Sequence, residues 1–203
     1  MTITTQQFGA INLGYYAPSV DGWNTGGVTG GPNGNFNNPD ANLPDGFLQF
    51  GSMAITGSPL DASAFLVAYV DGIAVSESTG WTQVWNTQNI PGGENGYLYI
   101  PTAPTGFVAL GVTFTNYGIP NFNVACVAEQ YVAQGNTSPI WSTVGIDGGA
   151  DLALYTVIID PTQTPPDSDL TSIIPISTST FVATTTNGSF PSAANLLLQC
   201  VGL

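Results

Sequence analysis

The stretch "LPDGFLQFG" at Leu43–Gly51 returns as "APTGFVALG" at Ala103–Gly111, an offset of 60 residues. The shared pattern is Pro-x-Gly-Phe-x-x-Φ-Gly, with Φ a large apolar residue. Proline presets φ for a turn and glycine accepts positive φ, so each copy predicts a tight turn. The phenylalanine then opens a strand. The downstream segments also correspond: "GSPLDASAFLVAYV" (Gly57–Val70) and "YGIPNFNVACVAEQYV" (Tyr117–Val132) each carry a proline and then an apolar run. Trp23, Trp85 and Trp141 punctuate the chain at similar intervals. Three Trp-led units therefore fit, near 15–75, 76–135 and 136–203, the third degenerate. The expected architecture is a single all-β, β-prism-like domain of three pseudo-repeated antiparallel sheets.

The wider chain agrees with this class. Its 25 glycines and 15 prolines leave few helix-length windows. Short apolar runs bounded by turn residues predict strands at Phe47–Ile55, Ala64–Val70, Thr82–Trp85, Tyr97–Ile100, Phe107–Phe114, Leu152–Ile159, Phe181–Thr185 and Leu196–Val201. The Val-rich window Phe122–Gln134 reads as a further strand rather than a helix.

At these same residues the sequence resembles the vacuolar protein sorting 62 family. The stretches that carry the resemblance are "GWNTGGVTGGPNGNFNNPDANLPDGFLQFG" (22–51), "NGYLYIPTAPTGFVALGVTF" (95–114), "VACVAE" (124–129) and "IWSTVG" (140–145). The resemblance implies a β-rich fold and brings no catalytic residues with it.

Composition narrows the function. The 203 residues include no Lys, Arg or His, and 13 Asp and Glu give a formal net charge of −13. Only 6% of residues are charged, against about 25% in an average domain. Phosphate backbones and anionic lipids are held mainly by Lys and Arg, so nucleic acid is excluded as a partner and electrostatic lipid docking is disfavoured. A serine nucleophile would lack its base. Neutral glycans, apolar surfaces, cations and further copies of the chain remain. With no basic side chain to pair them, the carboxylates repel, so stability near pH 4.5 is expected to match or exceed that near pH 7.5, in rough terms.

Cys126 and Cys200 lie in apolar runs without histidine or CxxC spacing, which excludes zinc and reads as two buried thiols rather than a disulfide. No secretory leader is visible at the N-terminus, and no apolar stretch reaches the roughly 18 residues of a spanning helix. The compartment stays open between intracellular and non-classical export.

Three sets of residues are candidate sites. Carboxylate pairs at Asp147/Asp151 and Asp167/Asp169 read first as solvated turn aspartates, and as calcium ligands in their functional reading, since Ca²⁺ takes carboxylate and carbonyl oxygens from flexible loops. The Gly-rich run Gly22–Gly34 lacks the Lys-Ser/Thr of a phosphate cradle and reads as an extended surface loop. Neutral sugars are held by ring faces and amides. Tyr15, Tyr16, Trp23 and Asp21 cluster in sequence, and Trp81 lies near Trp85. Glycine neighbours mark Trp23 and Trp81 as surface rings, whereas Trp85 and Trp141 read as core. The expected function is non-enzymatic recognition, lectin-like, of neutral carbohydrate. The alternative is a self-assembling structural protein forming a coat, fibre or inclusion. A third is a toxin-like protein associated with a receptor or membrane.

Overall fold

The computed structural model describes residues 3, 5–8, 10–17, 19–24, 34–39, 42–55, 65–87, 95–134, 136–143, 152–158, 173–176, 181–184 and 196–201. Its strands, in chain order, are β1 (Thr5–Phe8), β2 (Ile11–Tyr16), β3 (Ser19–Asn24), β4 (Asn35–Pro39), β5 (Phe47–Gln49), β6 (Met53–Ile55), β7 (Phe65–Tyr69), β8 (Val75–Glu77), β9 (Gly80–Asn86) and β10 (Tyr97–Thr102). They continue with β11 (Phe107–Ala109), β12 (Thr113–Thr115), β13 (Ala125–Ala128), β14 (Val132–Gln134), β15 (Asn136–Ser142), β16 (Ala153–Ile158), β17 (Ile173–Ile176), β18 (Phe181–Thr184) and β19 (Leu196–Val201). Among the described residues a single 3₁₀ turn, Glu129–Tyr131, interrupts them, and there is no α-helix. The fold is all-β.

The strands form small antiparallel sheets with orders β1-β2-β7-β5, β3-β4-β6, β11-β13-β8, β12-β10-β9, β14-β19-β17 and β15-β16-β18. Alternation in β7 shows how the layers share it. Leu66 and Ala68 enter one buried cluster with Ile11, Leu13, Phe50, Leu110 and Val127, while Phe65 and Val67 enter another with Tyr16 and Met53. A strand buried on both faces reads as a continuous apolar run, which is what "FLVAY" is. Pro139 and Pro175 stand in β15 and β17, both at sheet edges, where a missing N–H costs no ladder bond.

Three sequence readings change. The runs Phe47–Ile55 and Phe107–Phe114 are not single strands. β5 pairs with β7, but β6 pairs with β4; β11 pairs with β13, but β12 pairs with β10. The chain passes from one sheet to another at Phe50–Ser52 and at Leu110–Val112, a corner of the kind that lets one strand serve two sheets. The corners meet: Ser52 N–H donates to the Val112 carbonyl at 2.9 Å, and a Cβ on Gly51 would lie 2.7 Å from that oxygen. Glycine is required there by close approach. Likewise the window Phe122–Gln134 divides into β13, the 3₁₀ turn and β14.

The two Pro-x-Gly turns do match. Phe47 N–H donates to Pro44 O at 3.0 Å and Phe107 N–H to Pro104 O at 3.1 Å. Gly46 has φ +80° and Gly106 +82°, the positive value that the third turn position of a type II turn demands.

The tryptophans define the centre. Register slips by one residue just before each: between Asp21 and Trp23 in β3, before Trp85 in β9, and between Pro139 and Trp141 in β15. A bulge re-aims the following side chain. Here Trp23, Trp85 and Trp141 converge in one buried cluster with Phe36, Leu98, Phe114, Leu152 and Leu154. Beyond two of them the chain is clamped by a threonine. Thr87 N–H donates to Gly96 O and receives the Gly96 N–H on Oγ1, both at 2.9 Å. Thr143 does the same with Leu152, at 2.8 and 2.7 Å.

Candidate functional site

The expected sugar cluster near the N-terminus does not hold together as a surface. Trp23 is 2% exposed, stacked against both Phe36 (centroids 5.6 Å apart, planes at 9°) and Phe114 (5.2 Å, 21°), which stack on each other. The glycine beside it misled the reading. Gly22 is small because a Cβ there would meet Phe114 O at 2.9 Å and Asn38 Nδ2 at 2.7 Å, not because the loop is open. Tyr16 is 1% exposed, whereas Tyr15, on the other face of β2, is 63% exposed. Asp21 sits on β3 opposite Asn37. Two of the four residues are therefore core, and Tyr15 stands apart from them. Trp81 is half-buried, held edge-on by Tyr99 (6.4 Å) and Phe122 (6.0 Å), so it is a supporting ring rather than an open platform. Trp85 and Trp141 are core, as their strand context predicts. Asp147, Asp151, Asp167 and Asp169, the calcium candidates, lie outside the described residues, as does most of the Gly-rich run, although Gly22 and Gly34 at its ends are buried. Cys126 is a buried free thiol pushed up to about 12 by desolvation, hence inert at neutral pH; the Cys200 side chain is outside the description.

What Trp81 supports is a groove of about 450 Å³. One wall is the Pro44–Phe47 turn running into β5, backed by Pro39 and Leu43; the other is the connection between β12 and β13, which presents Tyr117, Asn121, Phe122 and Asn123. The second wall is pinned along its length. Thr115 Oγ1 donates to Gly118 O, Tyr117 Oη donates to Asn121 Oδ1 at 3.2 Å, and Asn123 Nδ2 donates to Glu77 Oε2 at 2.7 Å. Val124 N–H donates to Ser78 Oγ at 3.1 Å. The first wall is propped by Tyr69, edge-on to Phe47 at 5.4 Å and packed against Gly46. Such a site is largely pre-formed, so binding need not order it.

Its chemistry is amide and ring. Asn121, Asn123 and the 56%-exposed Tyr117 lie at the mouth. Desolvation pushes the Tyr117 phenol up, keeping its hydroxyl neutral over the whole physiological range. Asp45 is the one carboxylate among the lining residues. At the base, Asn38 spends its amide on Phe114 O (2.9 Å) and the Ser52 hydroxyl (2.6 Å), while Gln49, also lining the groove, leaves Nε2 without a protein partner. Sequence reasoning missed these residues, although "YGIPNFN" (Tyr117–Asn123) carries the same mixture of rings and asparagines that it sought elsewhere.

Comparison with known proteins places this geometry in context. The family model described as Vacuolar protein sorting-associated protein 62 matches residues 24–201. Among solved structures, GNIP1Aa from Chromobacterium piscinae superposes with a TM-score of 0.66 at 17% identity, over 87% of this chain and 33% of that one. The chain thus spans about a third of that protein's length, and at this identity the likeness is one of fold. No curated protein sequence matches the chain.

Proposed function

The chain belongs to the Vacuolar protein sorting-associated protein 62 family, and from that premise we propose that it is a non-enzymatic recognition module of β-prism type that binds neutral carbohydrate in the groove between the Pro44–Phe47 turn and the β12–β13 connection. The observation that carries the reading is the groove's make-up: ring faces and neutral amides on a pinned wall, with a single carboxylate. Sugar hydroxyls are matched by amides and phenols, and their C–H faces by rings. Acid–base work would need a second titratable group of suitable pKa in reach, which the lining residues do not offer.

Support for the prism architecture comes from topology. Strands six apart take the same places: β2-β7-β5, β8-β13-β11 and β14-β19-β17 have one order, and β3-β4-β6, β9-β10-β12 and β15-β16-β18 have the other. Units opening at β2, β8 and β14 would be compatible with the sequence boundaries near 15, 76 and 136. They interlock around the centre, with Gly96 against the Trp23 ring and Gly34 against Trp141 Nε1.

The test is a panel of neutral methyl glycosides titrated by calorimetry against the protein and its Tyr117→Ala and Asn121→Ala variants. Binding is expected for the parent and loss of at least tenfold, about 1.4 kcal/mol, for each variant. Failure of every neutral glycoside to bind, or binding indifferent to both substitutions, would remove the proposal.

A further inference from the structure

Asp45 carries a charge that the fold makes no use of. It stands exposed at the second position of the Pro44–Phe47 turn and lines the groove. A turn aspartate ordinarily serves the N–H groups that its carboxylate caps. Asp71 does so, its Oδ1 accepting from the N–H groups of Ile73, Ala74 and Val75. Among the described residues nothing donates to the Asp45 carboxylate. Nor does the turn depend on it. Thr105 holds the same position in the second copy, where the backbone is the same: the carbonyl of Gly106 receives the Glu129 N–H at 3.0 Å, as that of Gly46 receives the Val70 N–H at 2.7 Å. The chain cannot neutralise the charge either, because it has no basic side chain.

We propose that the groove prefers a positively charged amino sugar, a protonated aminohexose, over its neutral counterpart, and that Asp45 is the residue that sets this preference. The inference rests on the carbohydrate reading above and extends it from neutral sugars to a charged one. Hydroxyls and ring faces are met as before. A hydroxyl can also donate to the Asp45 carboxylate, but an ammonium does so with a full opposite charge, and such bonds are shorter and stronger. The rings lining the groove, Phe47, Tyr117 and Phe122, favour a cation in addition, since the face of an aromatic ring is negative. With a net charge of −13 and no Lys, Arg or His, no side chain of the protein opposes the ligand's charge. The preference is moderate, because Asp45 faces solvent, where an ion pair is weakened by water and salt.

The experiment titrates the methyl glycosides of glucosamine and glucose, with ethanolamine as a third probe, against the parent, Asp45→Asn and Asp45→Thr. It is run at low ionic strength and at about pH 6, where an amine of this class is protonated. The parent should hold the glucosamine glycoside about fivefold more tightly than the glucose one, the upper end for an exposed pair. Both variants should bring that ratio to about one with the melting temperature unchanged, since no protein hydrogen bond is lost. Raising the pH to about 9.5, where the amine is neutral, should do the same in the parent. Equal affinity for both glycosides in the parent overturns the charge preference and leaves the carbohydrate reading standing. Binding of neither overturns both. Binding of the glucosamine glycoside alone, lost in both variants, sustains the preference and removes the neutral-sugar reading. A ratio that survives in both variants belongs to the net charge of the chain and removes Asp45 from the role, and one that survives at the higher pH overturns the ion pair. Ethanolamine binding as tightly as the amino glycoside overturns the sugar assignment.

Discussion

The tryptophan centre and the ring-and-amide groove draw on the same residue types in opposite settings. At the centre, Trp23, Phe36 and Phe114 stack on one another, and the polar neighbours Asn38 and Ser52 are spent inside the protein, closing the exposed edge of β12 by bonding Phe114 O and N–H. At the groove, Tyr117 and Asn121 bond each other and keep their outer faces open. The difference is one of carrier. The central tryptophans ride on strands, where a bulge fixes the face they point to; the groove's Tyr117 and Phe122 ride on a connection between sheets. What an aromatic residue does here is decided by backbone register rather than by its neighbours in sequence.

The sharpest way to break this contrast is to delete a central ring. Trp23→Ala should cost about 3–5 kcal/mol, lowering the melting temperature by roughly 10 °C in a chain of this size. A loss of less than a degree in a thermal melt would mean that Trp23 is not structural. The turns come next, because they share one backbone but not one setting. Gly106→Ala meets open space, so only its positive φ is penalised, about 1 kcal/mol; Gly46→Ala also drives a Cβ to 2.6 Å from the Tyr69 ring and should cost visibly more. Denaturant melts that rank the two the other way would separate the turns' surroundings from those described.

Among the described residues, the buried tryptophan cluster contains no ionisable group, so pH should act through the periphery. Burial alone would raise the Asp71 carboxyl, but the N–H groups of Ile73, Ala74 and Val75, donating to Oδ1 at 2.8, 2.8 and 3.0 Å, outweigh it and hold the group below its ordinary 3.8. A depressed carboxylate stabilises the fold above the unfolded value, and that contribution is lost as pH falls through the folded one. Melting temperature should therefore hold or rise from about pH 7.5 to 4.5, as relief of repulsion predicts, and fall only below about pH 4. Asp71→Asn should flatten the acid limb. A steep loss already at about pH 5 in both proteins would sink this assignment. The smallest expected stability change is at the groove: Tyr117→Ala should move unfolding free energy by no more than about 0.5 kcal/mol. A core-sized loss there would erase the distinction between the two regions.

The all-β class, the repeated turn and the core roles of Trp85 and Trp141 were legible because each has a local cause: a turn that needs glycine, a strand that needs apolar residues. The sheet changes at Gly51 and Gly111 were not, since "FLQFGSMAI" keeps one composition across a corner that only long-range pairing reveals. Trp23 was misplaced for a related reason. A glycine needed for close approach and one needed for an open loop look alike in sequence. The groove escaped notice because its two walls lie more than 60 residues apart and meet only through packing.

The threonine clamps carry a consequence for how such a chain can change over generations. Thr87 and Gly96 lock the sheet's exit and entry points together, as Thr143 and Leu152 do. Lengthening the segment between two points already held in contact costs chiefly loop entropy, on the order of 0.6 kcal/mol per doubling. The frame can thus accept insertions at residues 88–95 and 144–151 without renegotiating its core, and new sequence can be tried there while the rest of the molecule is left alone.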